Sequence, residues 1–537
     1  MVLLRQLCKK PLVLLALVHL VVAGTTSRRV PTPPIDLLAD PANNNNRHLQ
    51  ESFLGPGFKR TVVFNGTKSG AQFGTRVAMN ADGTVVAAVG EGYVEVYELL
   101  EDSNQWKLRG GRITLTSDVT IPRSIDLSPD GRVVAFGQPE LDHPIYGSRA
   151  GQVNIYEYNR TSNSWIARGI WVGTNPNDQV GFSLAFHKPV PTTLDDGQQQ
   201  QYGNGDVLAL GVPGFETVGD PGFEYPLGEV WLLFYNETSG QYALSEQVRA
   251  QSLTGPADTG RIDFLAFGSS LALTGLGEFV LAVGIDTFNT ELRPGRVVVL
   301  VSAIDTGRDA DFVLLGSEIV GEGGGDGFGQ AIAMSQTGRV IAIGGPRNDG
   351  RNQFLSGHVE VYGYVQGNDE FWVQLGTDID GLNTNEQFGF AMAISYSGDT
   401  LLVGAPFSTR DTGYAVLLKF DLDSESWEEV ELNRNAGTLI NGGGISRVGH
   451  GVAMSADGTK MIIGAPFATT ALGVGSGTAQ LWQNTLYPTF SPIFNDIPDV
   501  SRNEQEDLSV GGFSWLVSNV KQGWTLGVSY LQSVFGV

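Results

Sequence analysis

The residues best suited to chemistry in this chain are scattered. Beyond the first 23 residues the histidines are His48, His143, His187, His358 and His450, none in the His-Glu-x-x-His spacing that places two imidazoles and a carboxylate around a metal. Acidic residues gather at Asp305 to Asp311 (DTGRDAD) and Asp378 to Gly381 (DIDG), each too short to encircle a hard cation. Asp82, Asp130 and Asp457 each precede a glycine, the pattern of a tight turn in which aspartate bonds its own backbone. No catalytic constellation follows from these spacings, so no catalytic residue is expected. An enzyme would have to assemble its site from distant segments.

The elements that carry these residues repeat. Seven segments align: Phe73 to Gly83, Ile121 to Gly131, Val180 to Pro189, Phe267 to Gly277, Phe328 to Gly338, Phe388 to Gly398 and Val448 to Gly458. Each is followed by an apolar β-prone run, such as Val85 to Val89 or Leu401 to Val403. A third run then begins near a glycine, as in GYVEVY from Gly92 and GHVEVY from Gly357, and its alternation predicts a half-exposed strand. A fourth often carries tryptophan: Trp106, Trp165, Trp372 and Trp427. Four strands per repeat and seven repeats predict an all-β, seven-bladed β-propeller over residues 58–484. The run Phe58 to Phe64 precedes the first repeat as a fourth strand precedes each later one. It is therefore expected to complete the last blade and remove two open sheet edges.

Within the first strands, large residues alternate with a small one. Val77, Ile125, Leu184, Leu271, Ile332, Met392 and Val452 share one position, and Ala78, Asp126, Ala185, Ala272, Ala333, Ala393 and Ala453 share the next. One face is thus bulky and the other nearly bare, the taper that seven strands crowding one axis require. Arg76 and Asp126 break the rule on neighbouring strands. A charge in a crowded interior needs a partner, so an Arg76–Asp126 ion pair between blades 1 and 2 is expected.

Two short motifs recur in register. Phe-Gly opens first strands at Phe73-Gly74, Phe267-Gly268, Phe328-Gly329 and Phe388-Gly389. Gly-Ala-Pro follows second strands at Gly404 to Pro406 and Gly464 to Pro466, with variants at Gly137, Gly211 and Gly344. On these motifs the chain resembles the FG-GAP repeats that form the N-terminal seven-bladed propeller of integrin α-subunits. The resemblance implies calcium held in Asp-x-Asp-x-Asp-Gly loops, but no such run occurs here. No cofactor is firmly expected, and calcium remains the one candidate. The inserted metal-binding domain and downstream leg modules of integrins are also absent, so integrin function does not transfer.

The remaining features bear on location. Arg5, Lys9 and Lys10 precede the apolar run Pro11 to Ala23, the pattern of a signal peptide over residues 1–23. An uncleaved single-pass anchor is the alternative. The only cysteine, Cys8, lies in this segment, so cleavage would leave no thiol and stability must come from packing. Sequons at Asn65, Asn159 and Asn236 suit a secreted glycoprotein. Residues 24–57 are expected to be disordered, residues 485–511 a linker, and residues 512–537 an amphipathic tail offering weak membrane or partner contact.

The formal charge of -23 opposes binding to nucleic acid. The long loops between second and third strands fall on one face with the loops that enter each blade. These features predict a noncatalytic extracellular binding or adhesion module recognising a protein or glycan through that face. The alternatives are an extracellular carbohydrate hydrolase or lyase and a structural wall or matrix protein.

Overall fold

The computed structural model describes residues 58–100, 102–115, 121–189, 205–214, 228–249, 266–275, 278–285, 294–303, 312–350, 354–365, 371–430 and 445–484. The leader, the segment 24–57, the linker, the tail and the cluster Asp305 to Asp311 lie outside them.

Seven sheets carry the fold, one per repeat, all antiparallel except where Lys188–Pro189 pairs in parallel with Thr274–Gly275. The inner strands are Val77–Met79, Ser124–Leu127, Leu184–Phe186, Phe267–Gly275, Ala331–Met334, Ala391–Ile394 and Val452–Met454. Second strands run slightly past the apolar cores that announce them, as in Thr400–Ala405 and Lys460–Ala465. They stop immediately before Pro406 and Pro466, because proline has no N–H with which to continue a ladder. Among the described residues the only helix is a single turn, Ser408–Asp411, inside the loop that leads to the third strand of blade 6.

Ring closure takes the form expected. The strand Phe58–Asn65 pairs antiparallel with Thr478–Asn484, from Phe58 opposite Asn484 to Asn65 opposite Thr478. The last blade is thus built from both ends of the described chain. Phe64 completes it by stacking 4.2 Å from Tyr97 and meeting Trp106 edge-on at 5.9 Å, which ties blade 7 to blade 1.

The taper is also present, and it has a direction. Val77 and Met79 pack towards Ile462, Ala479 and Leu481 of blade 7, whereas Ala78 packs towards Leu127, Val134 and Phe136 of blade 2. Each blade therefore turns its bulky inner residues to the preceding blade and its alanine to the following one.

The third strands correct the sequence expectation. They are not half-exposed: Tyr93, Val94, Glu95 and Val96 are all buried, as are His358 to Val361. Alternating polar and apolar residues usually mark one wet face, but here neighbouring blades cover both. The polar positions instead find protein partners. Glu95 accepts from Arg112 at 2.8 Å and from the Tyr97 hydroxyl at 2.7 Å, and Asn154 donates to Gln138 at 3.0 Å.

The fourth-strand tryptophans latch blade to blade. Trp165 Nε1 donates to Arg109 O at 2.7 Å, Trp372 Nε1 to Leu315 O at 2.9 Å and Trp427 Nε1 to Leu375 O at 3.0 Å, each reaching the preceding blade.

Glycines make the inner seams. A Cβ on Gly464 would stand 1.9 Å from Gly74 O, and one on Gly74 would stand 2.2 Å from Thr478 O. The same approach recurs from Gly404 to Gly449 O at 2.0 Å and from Gly344 to Gly389 O at 2.3 Å. Gly74 also holds φ at 91°, a region that side chains disfavour. Replacing Gly464 by alanine should therefore destabilise the protein by about 3 kcal/mol or more, since no flexible side chain can yield. Gly169→Ala, whose nearest obstacle is 4.0 Å away, should leave the thermal midpoint nearly unchanged. Deleting residues up to Phe64 should broaden and lower the melt followed by circular dichroism; an unaltered transition would contradict closure by this strand.

Candidate functional site at the axial mouth

The inner strands surround an axial cavity of about 300 Å³ lined by all seven blades. At the end nearest the one-to-two turns it is bounded by Ala81, Pro129, Lys188, Gln336, Tyr396 and Ala456. That end is drawn together by backbone: Ala81 N donates to Pro129 O, Ala456 N to Ala81 O and Tyr396 N to Ala456 O, at 2.7 to 3.0 Å. The turns themselves follow the expected chemistry. Asp82, Asp130 and Asp457 accept from the backbone N–H two residues on, at 2.8, 2.9 and 3.0 Å.

The opposite end faces the long loops. There four of the residues directly after the Phe-Gly position, Arg123, Phe182, Phe390 and His450, meet across blades. Arg123 stacks on Phe182, its Cζ 3.8 Å from the ring centroid. Phe390 lies 4.9 Å from His450 and 5.6 Å from Phe407. Arg447 sits between Phe407 and Phe467, at 4.7 and 4.5 Å. A row of rings and cations thus runs Phe467, Arg447, Phe407, Phe390, His450, Arg76, Arg123, Phe182. Arg123 is exposed, and the others are partly so.

Arg76 does not pair with Asp126, contrary to the sequence expectation. Its Nε donates to Arg123 O at 2.7 Å, and its Nη1 donates to Thr75 O at 2.9 Å and stands 3.0 Å from His450 Nδ1. Asp126 instead accepts from Phe186 N at 3.0 Å and lies 3.9 Å from Lys188 Nζ. The reason is the direction of the taper. Arg76 and Asp126 occupy faces that turn the same way around the ring, so each reaches its own following blade. Arg76 in fact replaces a hydroxyl: Ser124, Ser183 and Ser270, one blade apart, each donate 2.7 Å bonds to Gly181 O, Gly268 O and Gly329 O.

His450 Nδ1 stands 3.0 Å from both Arg76 Nη1, which can only donate, and Thr75 O, which can only accept, so one ring nitrogen faces a donor and an acceptor together. Burial, and then the positive charges of Arg76 and Arg447, hold His450 down to about 3. Burial with the neighbouring charge of Arg123 lowers Arg76 to about 10, where it remains protonated at neutral pH. Burial also lowers His187 to about 4, beside the Phe279 ring at 5.0 Å.

Two of the loops that enter blades, those into blades 3 and 6, are organised by buried acids that the sequence expectations did not include. Asp178 is fully buried, and its Oδ2 accepts from Thr174 N and Asn175 N at 2.8 Å each. Burial pushes its carboxyl up, against the pull of those donors. Glu386 plays the same part in the loop that enters blade 6, accepting from Leu382 N at 2.8 Å, the Tyr414 hydroxyl at 2.9 Å and the Ser408 hydroxyl at 3.1 Å. The legible signal was a shared Gly-x-x-x-x-acid-Gln spacing, at Gly173 and at Gly381. The mouth phenylalanines had one too, since Phe407 and Phe467 each follow Gly-Ala-Pro directly.

The other expected residues are placed as follows. Phe73, Phe267, Phe328 and Phe388 are buried beneath the mouth, and Gly268, Gly329 and Gly389 repeat the seam position of Gly74. Asn65 and Asn236 are exposed and Asn159 partly so; Asn159 and Asn236 each open the turn between third and fourth strands, accepting from Thr161 N and Thr238 N at 2.9 Å. Asp378 accepts from Gln374 Nε2 at 2.6 Å. Among the described residues no three His, Cys, Asp or Glu side chains group around a metal position.

The fold defines a seven-bladed β-propeller on whose long-loop face arginines and phenylalanine rings are stacked together. No protein-family model matches the chain. No curated protein matches it either. Among solved structures it is similar to a chain of "Crystal Structure of Mitotic Checkpoint Complex", at 14% identity over 85% of this chain and 99% of that one, with a TM-score of 0.44.

The two depressed histidines set an acid sensitivity. An unfolded histidine titrates near pH ~6.5, so below that pH the unfolded chain binds protons that folded His187 and His450 refuse. Stability should fall as pH drops from about 6.5 towards 4. His450→Gln, whose amide offers an acceptor to Arg76 and a donor to Thr75 O, should flatten the dependence of the melting temperature on pH across that window; an unchanged slope would remove His450 from the account.

Proposed function

We propose that the protein is a noncatalytic extracellular binding module whose long-loop face recognises a protein or glycan, and that its blades are FG-GAP repeats. The observation that carries the binding face is where exposed apolar residues gather. Ile145 (79% exposed), Val474 (73%) and Phe354 (61%), with Tyr146, Leu382, Ile445 and Leu472, all stand on loops of that face. Loops between rigid blades can carry such side chains without cost to the core, and apolar side chains gathered on one face mark an interaction surface. The opposite end of the axis is drawn closed by backbone bonds and offers tight Asp-Gly turns instead.

The FG-GAP reading is supported by the physical use of both motifs, because the glycine of each is what lets adjacent blades touch. An extracellular setting is supported by the leader pattern, by the sequon asparagines Asn65 and Asn236 standing exposed, and by the confinement of cysteine to Cys8.

A screen of glycan and extracellular-protein arrays tests this reading. Phe354→Asp and Val474→Asp should each weaken the captured ligand about tenfold or more, as expected for anchors in an interface, with the melting temperature preserved. Arg132→Ala on the opposite face should bind as the unaltered protein does. Turnover of any arrayed glycan would overturn the noncatalytic assignment.

A further inference from the structure

Two of the three sequons occupy the same place in consecutive blades. Asn159 ends the third strand Gln152–Asn159 of blade 2, and Asn236 ends Glu229–Asn236 of blade 3. Each opens the turn to the fourth strand, its Oδ1 accepting from two backbone N–H groups: Thr161 and Ser162 at 2.9 and 3.0 Å, Thr238 and Ser239 at 2.9 and 3.1 Å. Blade 6 builds the same turn with an acid. There Asp421 accepts from Asp423 N at 2.7 Å and Ser424 N at 3.1 Å. The fold therefore requires a side-chain oxygen at this position and no amide nitrogen.

The atoms that blade 6 dispenses with are idle in blades 2 and 3. Among the described residues, neither Asn159 Nδ2 nor Asn236 Nδ2 has a hydrogen-bond partner, and the hydroxyls of Thr161 and Thr238 have none either. Asp423, the counterpart of both threonines, has no hydroxyl. Asn236, Thr161 and Thr238 are exposed, and Asn159 is partly so. An asparagine amide with a threonine hydroxyl two residues on is the pair that N-glycosylation needs, and here the fold uses neither. Both turns lie at the end of the blades away from the long loops. Val133 and Val207, which begin the second strands, pair with Glu157 and Phe234 just before the two asparagines.

We propose that Asn159 and Asn236 carry N-linked carbohydrate, and that it covers the turn face of blades 2 and 3 and leaves the long-loop face open. In the transfer, Nδ2 bonds to C1 of an oligosaccharide carried on a polyprenyl pyrophosphate. The C1–O bond breaks, the lipid pyrophosphate leaves with that electron pair, and the amide gives up one proton. The turns stay whole afterwards, because Oδ1 keeps both of its donors. This rests on the extracellular reading, and it gives the two faces of the propeller different roles. Asn65 stands at the other end of the blades, opposite Thr478.

The full chain, with Asn65→Gln to silence the third sequon, is expressed in eukaryotic cells, once with its own leader and once with the leader of a known secreted protein in its place. Carbohydrate is expected at both asparagines, each read by mass spectrometry as aspartate after enzymatic release. Asn159→Asp and Asn236→Asp, which keep the turn acceptor, should each remove one carbohydrate chain and leave the melting temperature unaltered. Thr161→Val and Thr238→Val should do the same. Hydroxyl-radical footprinting of the doubly substituted Asp protein against the glycosylated one should show added exposure around Arg160 and Glu237, and none at Ile145, Phe354 or Val474. Export with either asparagine left bare, an unchanged footprint at the turns, or a change at those three long-loop residues would overturn the proposal and leave the extracellular reading standing. Failure of the chain's own leader to export the protein would overturn both.

Discussion

Backbone meeting backbone between blades is the constraint on which the rest of this structure depends. At the seam from blade 7 to blade 1, Gly464, Gly74 and Gly477 interlock so closely that a Cβ on any of them would lie 1.9 to 2.3 Å from a carbonyl oxygen across the seam. Phe73 pairs in parallel with Gly477 at the same point, and the arrangement recurs where Val180, Phe267, Phe388 and Val448 meet Gly151, Gly228, Gly357 and Gly413. Close approach of this kind lets the apolar faces behind it pack without voids. One seam departs from the rule. Into blade 2 the Phe-Gly pair becomes Ile121-Pro122, and proline cannot take the positive φ that Gly74 holds. There Arg76 supplies the tie by donating to Arg123 O.

That exception links scaffold to site. Pro122, which stands where the other seams have glycine, is followed directly by Arg123, whose carbonyl accepts from Arg76. The tie at this seam and the Arg76–Arg123 contact are in this sense one feature. The neutral His450 follows from it, because burial and the adjacent guanidinium both penalise a second proton on the imidazole.

Tight inner seams also explain why polar residues are buried so freely in the third strands. With blades pressed together, Glu95, Asn154 and Glu360 have no access to water, and each is held by a neighbour on its own or the adjoining strand. A lone buried carboxylate would be costly, whereas one with two donors is not. The acids Asp178 and Glu386 do the same for the entering loops, fixing the backbone that carries the mouth residues. Rigid support of this kind lets partly exposed rings and cations hold one arrangement.

The sequence by itself determined the number of blades, the four strands of each, the taper and the closing strand. All of these are written in spacing and in the alternation of large and small residues, which are local properties of the chain. It also fixed which glycines matter, since the Phe-Gly and Gly-x-Pro motifs stand in register. Tertiary structure alone decided which way each face turns. The period of two says that Arg76, Ala78 and Asp126 share a face, but not that this face looks towards the following blade, and so Arg76 and Asp126 were paired when each reaches past the other. For the same reason the alternating third strands read as half wet, although a neighbouring blade covers the outer face. At the mouth Arg76 meets His450, 374 positions away, and a contact at that separation leaves no periodic trace in the chain.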